Sequence, residues 1–152
     1  MTSLTTEQQI DANVERNKAT LTLMLERLSA GDVAGFTDHL TANYRRHCQA
    51  MPPGLEDIVG KDTMHEWLLS NFVPFPDFHE KLEWLVGEGS FVAWRSRATG
   101  TQSGPLGPFP PTNRRMEVMI FGMHRFEGPL VAETWSSWDN LAVLTQLGHM
   151  GG

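Results

Sequence analysis

Residues 115–139, RMEVMIFGMHRFEGPLVAETWSSWD, decide the fold. Two stretches with a period of two, 115–126 and 130–139, flank Glu127-Gly128-Pro129. A connection that short predicts an antiparallel hairpin. Upstream, 78–87 and 90–101 repeat the pattern about a second tight turn, Gly87-Glu88-Gly89. A Pro/Gly loop over 103–111 joins the two hairpins. Four long strands in a meander therefore fill the second half of the chain.

The first half reads differently. Ile10, Val14, Leu21, Leu25 and Leu28 recur at helical spacing over 5–30, and Gly31-Asp32 stops the run. Thr5 or Thr6 suits the cap, and Glu7 the positive end of the helix dipole. A short helix over 33–40 and a strand over 42–48 follow. Met51-Pro52-Pro53-Gly54 can continue neither element. A further helix spans 61–72, with Met64, Leu68 and Phe72 in register, and ends before Pro74 and Pro76. Residues 141–147 form a last short helix, and 149–152 a loose end. Helices first and an antiparallel meander after them predict an α+β domain over 1–152, its curved sheet covered by the helices around a cone-shaped pocket.

Composition narrows the function. The 152 residues carry 12 Lys+Arg against 18 Asp+Glu, a net charge of −6 with no basic block, which speaks against nucleic acid and membrane as partners. There is no apolar run of membrane-spanning length and no signal-like start, so a cytoplasmic location is expected. The single cysteine, Cys48, excludes an internal disulfide. Five Trp, eight Phe and eight Met supply adaptable apolar surface for a core or for a small apolar or aromatic substrate.

Motif chemistry is mostly excluded. His65-Glu66-Trp67-Leu68-Leu69 and His79-Glu80-Lys81-Leu82-Glu83 both lack the second histidine of a zinc helix, so no metal is expected. Phosphate-binding and nucleophile-elbow patterns are absent. Acid–base chemistry remains. Asp139 ends the last strand, on the alternation face of Glu133, Trp135 and Ser137. A carboxylate among aromatics loses solvation and gains a raised pKa; the other reading, which spacing alone favours, is a cap for the following helix. His124 and His47, each on a strand, are the other candidate proton carriers, with structural histidines as the plainer assignment. Arg95 on a central strand needs a partner, either Glu133 or Glu117 or a ligand.

Several runs resemble one family. Phe75-Pro76-Asp77-Phe78, Leu85 through Arg95, Thr99-Gly100-Thr101-Gln102-Ser103-Gly104, Pro110-Pro111-Thr112, His124-Arg125-Phe126-Glu127-Gly128, Glu133-x-Trp135 with Asp139, and Gln146-Leu147-Gly148 are similar to the SnoaL-like polyketide (ester) cyclases. The similarity runs over 17–148. It implies the nuclear-transport-factor-2-like cone, a homodimer or dimer of dimers through the sheet, and a pocket free of cofactor and metal. It also implies an acid/base aspartate, here Asp139, with His124 near the family's polar strand residues. Two departures stand out: Gln102 where members often carry histidine, and Glu127-Gly128-Pro129 where Asp-Gly-Lys is usual. Glutamine cannot shuttle a proton but can hydrogen-bond a carbonyl.

These residues point to a cofactor-independent acid/base enzyme for a bulky apolar or aromatic carbonyl or hydroxyl compound. The family resemblance favours aldol closure or retro-aldol cleavage, with catalysis expected from Asp139, His124 and His47. Arg95, Gln102, Trp135, Trp67 and Met123 would line the substrate. Isomerisation, dehydration and epoxide opening need the same equipment. A non-catalytic small-molecule carrier and an assembly module are the rivals from other classes.

Overall fold

The structure is a computed structural model that describes residues 2–150. Helix α1 (Thr6–Ser29) opens on a reciprocal cap: the Gln8 backbone N–H donates to the Thr5 hydroxyl, and the Thr5 N–H donates to the Gln8 side chain. Leu21, Met24, Leu25 and Leu28 form its buried stripe at spacings of three, four and seven. Ile10, expected in the same stripe, is half exposed, since residues 6–12 of the helix are all exposed. Helix α2 (Val33–Thr37) stops short of the expected Leu40, since Leu40 already belongs to strand β1 (Leu40–Cys48) and lies opposite Val131 in a parallel ladder. Strand β2 (Asp57–Val59), unforeseen in the sequence, pairs antiparallel with β1. Helix α3 (Lys61–Asn71) follows.

The four long strands form where alternation puts them: β3 (His79–Glu88), β4 (Phe91–Thr101), β5 (Arg115–Glu127) and β6 (Leu130–Ser137). β6 ends before Asp139, and helix α4 (Asn140–Leu147) begins at once. The six strands form one sheet in the order β2-β1-β6-β5-β4-β3, with β1 parallel to β6 and every other pair antiparallel. Among the described residues no helix is long and apolar enough to cross a membrane. Of the expected loose end, His149 is tied to Gln102 at 2.7 Å, while Gly151 and Gly152 lie outside the described residues.

Strand parity decides which side chains meet the helices. On β4 the even-numbered Val92, Trp94, Ser96 and Ala98 are buried, and on β5 Met116, Val118, His124 and Phe126. β1 contributes Tyr44, Arg46 and Cys48, and β6 Thr134. These residues form the concave face, over which the helices close. One close approach holds that face together. Trp94 lies directly opposite Gly122, and a Cβ there would come within 2.3 Å of the indole ring. The glycine is needed for space, and the indole covers the strand it leaves bare. Gly122→Ala is therefore expected to cost about 1–3 kcal/mol through overpacking and to lower the melting temperature by several degrees; an unchanged thermal melt would show that Trp94 is free to move aside.

Candidate functional site

Between sheet and helices lies a cavity of about 380 Å³ with predominantly apolar walls. Leu28, Phe36, Leu68, Phe75 and Val118 supply part of that surface. Two loops also reach it, through Met51 and Pro52 on one side and Pro108 and Phe109 on the other.

Set into these walls is a group of buried polar side chains. Arg46 projects inward from β1 and is only 2% exposed. Its guanidinium lies 4.1 Å from the centroid of the Trp67 ring on α3, a cation–π contact that orients it. Its Nε and Nη2 have no hydrogen-bond partner, and no carboxylate among the described residues forms an ion pair with it. The His124 Nε2 is buried and likewise without a partner among the described residues, while the Tyr44 hydroxyl and Trp94 Nε1 make no well-formed hydrogen bond but lie beside Thr134 and Glu80, and all four residues line the cavity. An unsatisfied buried polar group costs about 1–3 kcal/mol, so several around one hollow call for a ligand or water.

Burial sets the protonation of this group. His124 is pushed down to about 3 by desolvation and is neutral at neutral pH, with Nδ1 at 2.7 Å from the Thr134 hydroxyl. Desolvation lifts the Tyr44 phenol well above its ordinary value. Burial also disfavours the Arg46 charge and lowers its pKa, although a guanidinium keeps its proton in a protein. Glu80 on β3 lines the same cavity. Desolvation raises its carboxyl above the usual range, with the neighbouring Ser96 and Trp94 side chains acting against that shift. The Ser96 hydroxyl donates to Glu80 Oε1, and the backbone N–H of Glu80 donates to the Ser29 hydroxyl at the end of α1.

The candidates read from the sequence divide between the two sides of the sheet. His124 and Trp67 line the cavity. Asp139 does not: it is exposed and caps α4, its Oδ1 accepting from the Ala142 N–H at 2.9 Å. Glu133, Trp135 and Ser137 do share a face, as expected, but it is the convex one, because Thr134, Ser136 and Trp138 have the parity that lines the cavity. His47 and Met123 lie on that outer side as well. The His47 ring stacks on Trp135 at 5.5 Å between ring centroids, with Nε2 at 2.6 Å from Glu133 and Nδ1 at 2.9 Å from Asp57. The hydrogen bond to Glu133 leads in raising the pKa of His47, and the same bond leads in lowering that of Glu133.

Arg95 also points outward, facing Glu83 at 3.8 Å and neither Glu133 nor Glu117. Gln102 is fully buried but occupied: its Nε2 donates to the carbonyls of Gly104, Phe109 and Pro110 at 3.1–3.3 Å, and its Oε1 accepts from Thr112 and faces His149. It organises the 103–111 loop and has no free group for a ligand. Among the described residues no three His, Cys, Asp or Glu side chains gather as metal ligands. Arg46, Tyr44, Trp94, Glu80 and Thr134 escaped the sequence reading. The available signal was parity, since Tyr44, Arg46 and Cys48 alternate on one side of β1 and the arginine is the odd member.

Two tests follow from these placements. Asp139→Ala removes a side-chain cap and is expected to cost about 1 kcal/mol, whereas Asp139→Asn keeps the cap and its stability; a large loss in the asparagine variant would contradict the capping role. His124 has a depressed pKa in the fold, so below about 6.5 the unfolded chain binds a proton that the native state refuses. Its contribution to stability is present above that pH and is lost as pH falls toward 3. Glu80 has the opposite sign, its protonated form being favoured by folding, so stability declines as pH rises through its raised range. Chemical denaturation of His124→Gln should show a flatter acid limb than the parent protein; identical slopes would contradict the burial of a neutral imidazole.

Comparison with known proteins agrees with this architecture. IdmH from Streptomyces antibioticus, described as a proposed polyketide cyclase, is similar in structure at a TM-score of 0.75 and 26% identity, covering 87% of this chain and 98% of that one. A protein of Jannaschia sp. CCS1 designated SnoaL-like has a TM-score of 0.81 at 19% identity, covering 99% and 100%. A Catenulispora acidiphila protein with a ketosteroid isomerase-like fold, in complex with trimethylamine, has a TM-score of 0.73 at 13% identity, covering 85% and 92%. Among curated proteins no relative matches the chain. The family model described as SnoaL-like polyketide cyclase matches residues 18–147, and the chain belongs to that family.

Proposed function

We propose that the chain is an enzyme that moves protons on an apolar carbonyl compound inside the cavity, without a cofactor, in aldol-type carbon–carbon chemistry. One observation carries this reading: the free Nε and Nη2 of Arg46 and the free Nε2 of His124 line the same apolar hollow as the buried carboxyl of Glu80. Family membership supports the choice of aldol closure or its reverse over other proton-transfer chemistry.

The roles follow from what each group can do. Glu80, with its raised pKa, takes the proton from the carbon next to the carbonyl and returns it to the alkoxide. Arg46 and Tyr44 donate to the oxygen on which negative charge develops. His124 is a neutral imidazole, and in the tautomer where the Thr134 hydroxyl donates to Nδ1 its Nε2 carries the hydrogen and is a third donor. The burial that makes these groups costly in the free protein strengthens their hold on a developing oxyanion. Asp139, as the cap of α4, has no part in this scheme. The exposed Trp84 and Phe121 suit the convex sheet face to a second copy of the chain.

The test is deuterium exchange at the α-carbon of apolar aromatic ketones in heavy water, followed by NMR. The parent protein is expected to accelerate exchange, Glu80→Gln to lose about 10²–10⁴-fold, and Arg46→Met about 10²–10³-fold. The rate should rise with pH through a limb above the ordinary carboxylate range, set by Glu80. Undiminished exchange in Glu80→Gln would remove that residue from the scheme. Ligand binding with no exchange in the parent protein would make the chain a carrier.

A further inference from the structure

Among the described residues no carboxylate lies within ion-pairing distance of the cation in the cavity. Arg46 is 2% exposed, and every carboxylate in its neighbourhood has another role or another state. Asp57, the one carboxylate that acts on it electrostatically, is committed to His47 on the far side of β1. Glu133 and Asp139 also lie outside the cavity. Glu80 lies inside, but its carboxyl is not within ion-pairing distance of Arg46 and is held by the Ser96 hydroxyl on β4. The other polar groups reinforce the imbalance. Guanidinium and indole nitrogens can only donate, and the Tyr44 hydroxyl and a neutral imidazole can also donate. The hollow therefore offers several donors and one guanidinium that no described carboxylate pairs directly, inside walls built for an apolar body.

A buried cation left alone is among the costliest features a fold can hold, and its attraction for an anion is correspondingly strong. We infer that the ligand of this cavity is an organic anion: an apolar, aromatic or fused-ring body carrying one ionised oxygen group, a carboxylate or an enolate, seated on Arg46 above Trp67. A neutral ester or amide of the same shape would satisfy the donors but leave the charge unmatched. Trp67 holds the guanidinium from one face, so its edge remains for the oxygen pair of a carboxylate or the conjugated oxygens of a dicarbonyl enolate. This inference rests on the cavity being the ligand site, as proposed above, and is independent of proton transfer.

Binding to the full-length protein, read by Trp fluorescence and calorimetry at neutral pH, tests it with two matched pairs. Naphthoate against naphthamide asks for a carboxylate. Phenindione, an acidic dione that ionises to its enolate, against its neutral C-methyl derivative asks for an enolate. At least one anion is expected to bind about tenfold or more tightly than its neutral partner; whichever pair discriminates identifies the oxygen group. In Arg46→Met the preference should vanish while the neutral partner still binds, and Arg46→Lys should restore part of it. Equal binding within both pairs, tighter binding of the neutral partners, or no binding of any probe would overturn the inference. Should Arg46→Met fail to fold, the comparison in the parent protein decides alone. The two proposals fail separately: charge preference without exchange leaves the anion site standing, and exchange without charge preference leaves the enzyme reading standing.

Discussion

Burying a guanidinium in an apolar hollow is the constraint around which the interior of this protein is arranged. Arg46 can occupy its place because Trp67 receives its charge on a π face, and its side chain is almost wholly buried. That contact joins β1 to α3, which also packs through Met64 and Leu68. The placement of Arg46 also puts Tyr44, two residues earlier, on the same side of β1, and Thr134 beside it on β6. Thr134 in turn orients His124. The polar group is thus a chain of neighbours across three adjacent strands, held by β-sheet register with no loop involved, which suits a site that must keep its geometry.

The convex face shows the opposite economy. There His47, Asp57, Glu133 and Arg125 satisfy one another within 2.6–3.3 Å, and Arg95 and Arg97 share Glu83. Most charge on that side is matched among its own residues, although Arg95 Nε has no hydrogen-bond partner. The same residue type therefore means different things on the two sides of one sheet, because Arg95 and Arg97 find a carboxylate in Glu83 and Arg46 finds none within ion-pairing distance.

This difference explains what could be read in the sequence and what could not. The hairpins about Gly128 and Gly89 and the stripe of α1 were legible, since each is a local pattern of two or 3.6 residues. β2 was not, because its three residues are a strand only through pairing with β1. Alternation correctly grouped Glu133, Trp135 and Ser137 but could not say which side the helices cover. The aromatic Trp135 drew attention to the outer face, and with it to Asp139. β5 carries apolar residues on both faces, Met119, Phe121 and Met123 outside against Met116, Val118 and Ile120 inside, so hydrophobicity gave no vote. Arg46 and Glu80 stayed hidden because the pairing of a charged residue is a long-range property. Its absence becomes visible only when every neighbour is in place.

An anionic oxygen bound to this protein belongs in the cavity and not on the convex face. The most direct measurement is a crystal structure with a bromine-labelled aryl carboxylate, the bromine located by its anomalous scattering. The account predicts the bromine within the apolar walls near Leu68 and Phe75 and the carboxylate within hydrogen-bond distance of Arg46. Bromine density confined to the outer sheet face, beside Arg95 or Arg125, with the cavity filled only by water, would contradict it.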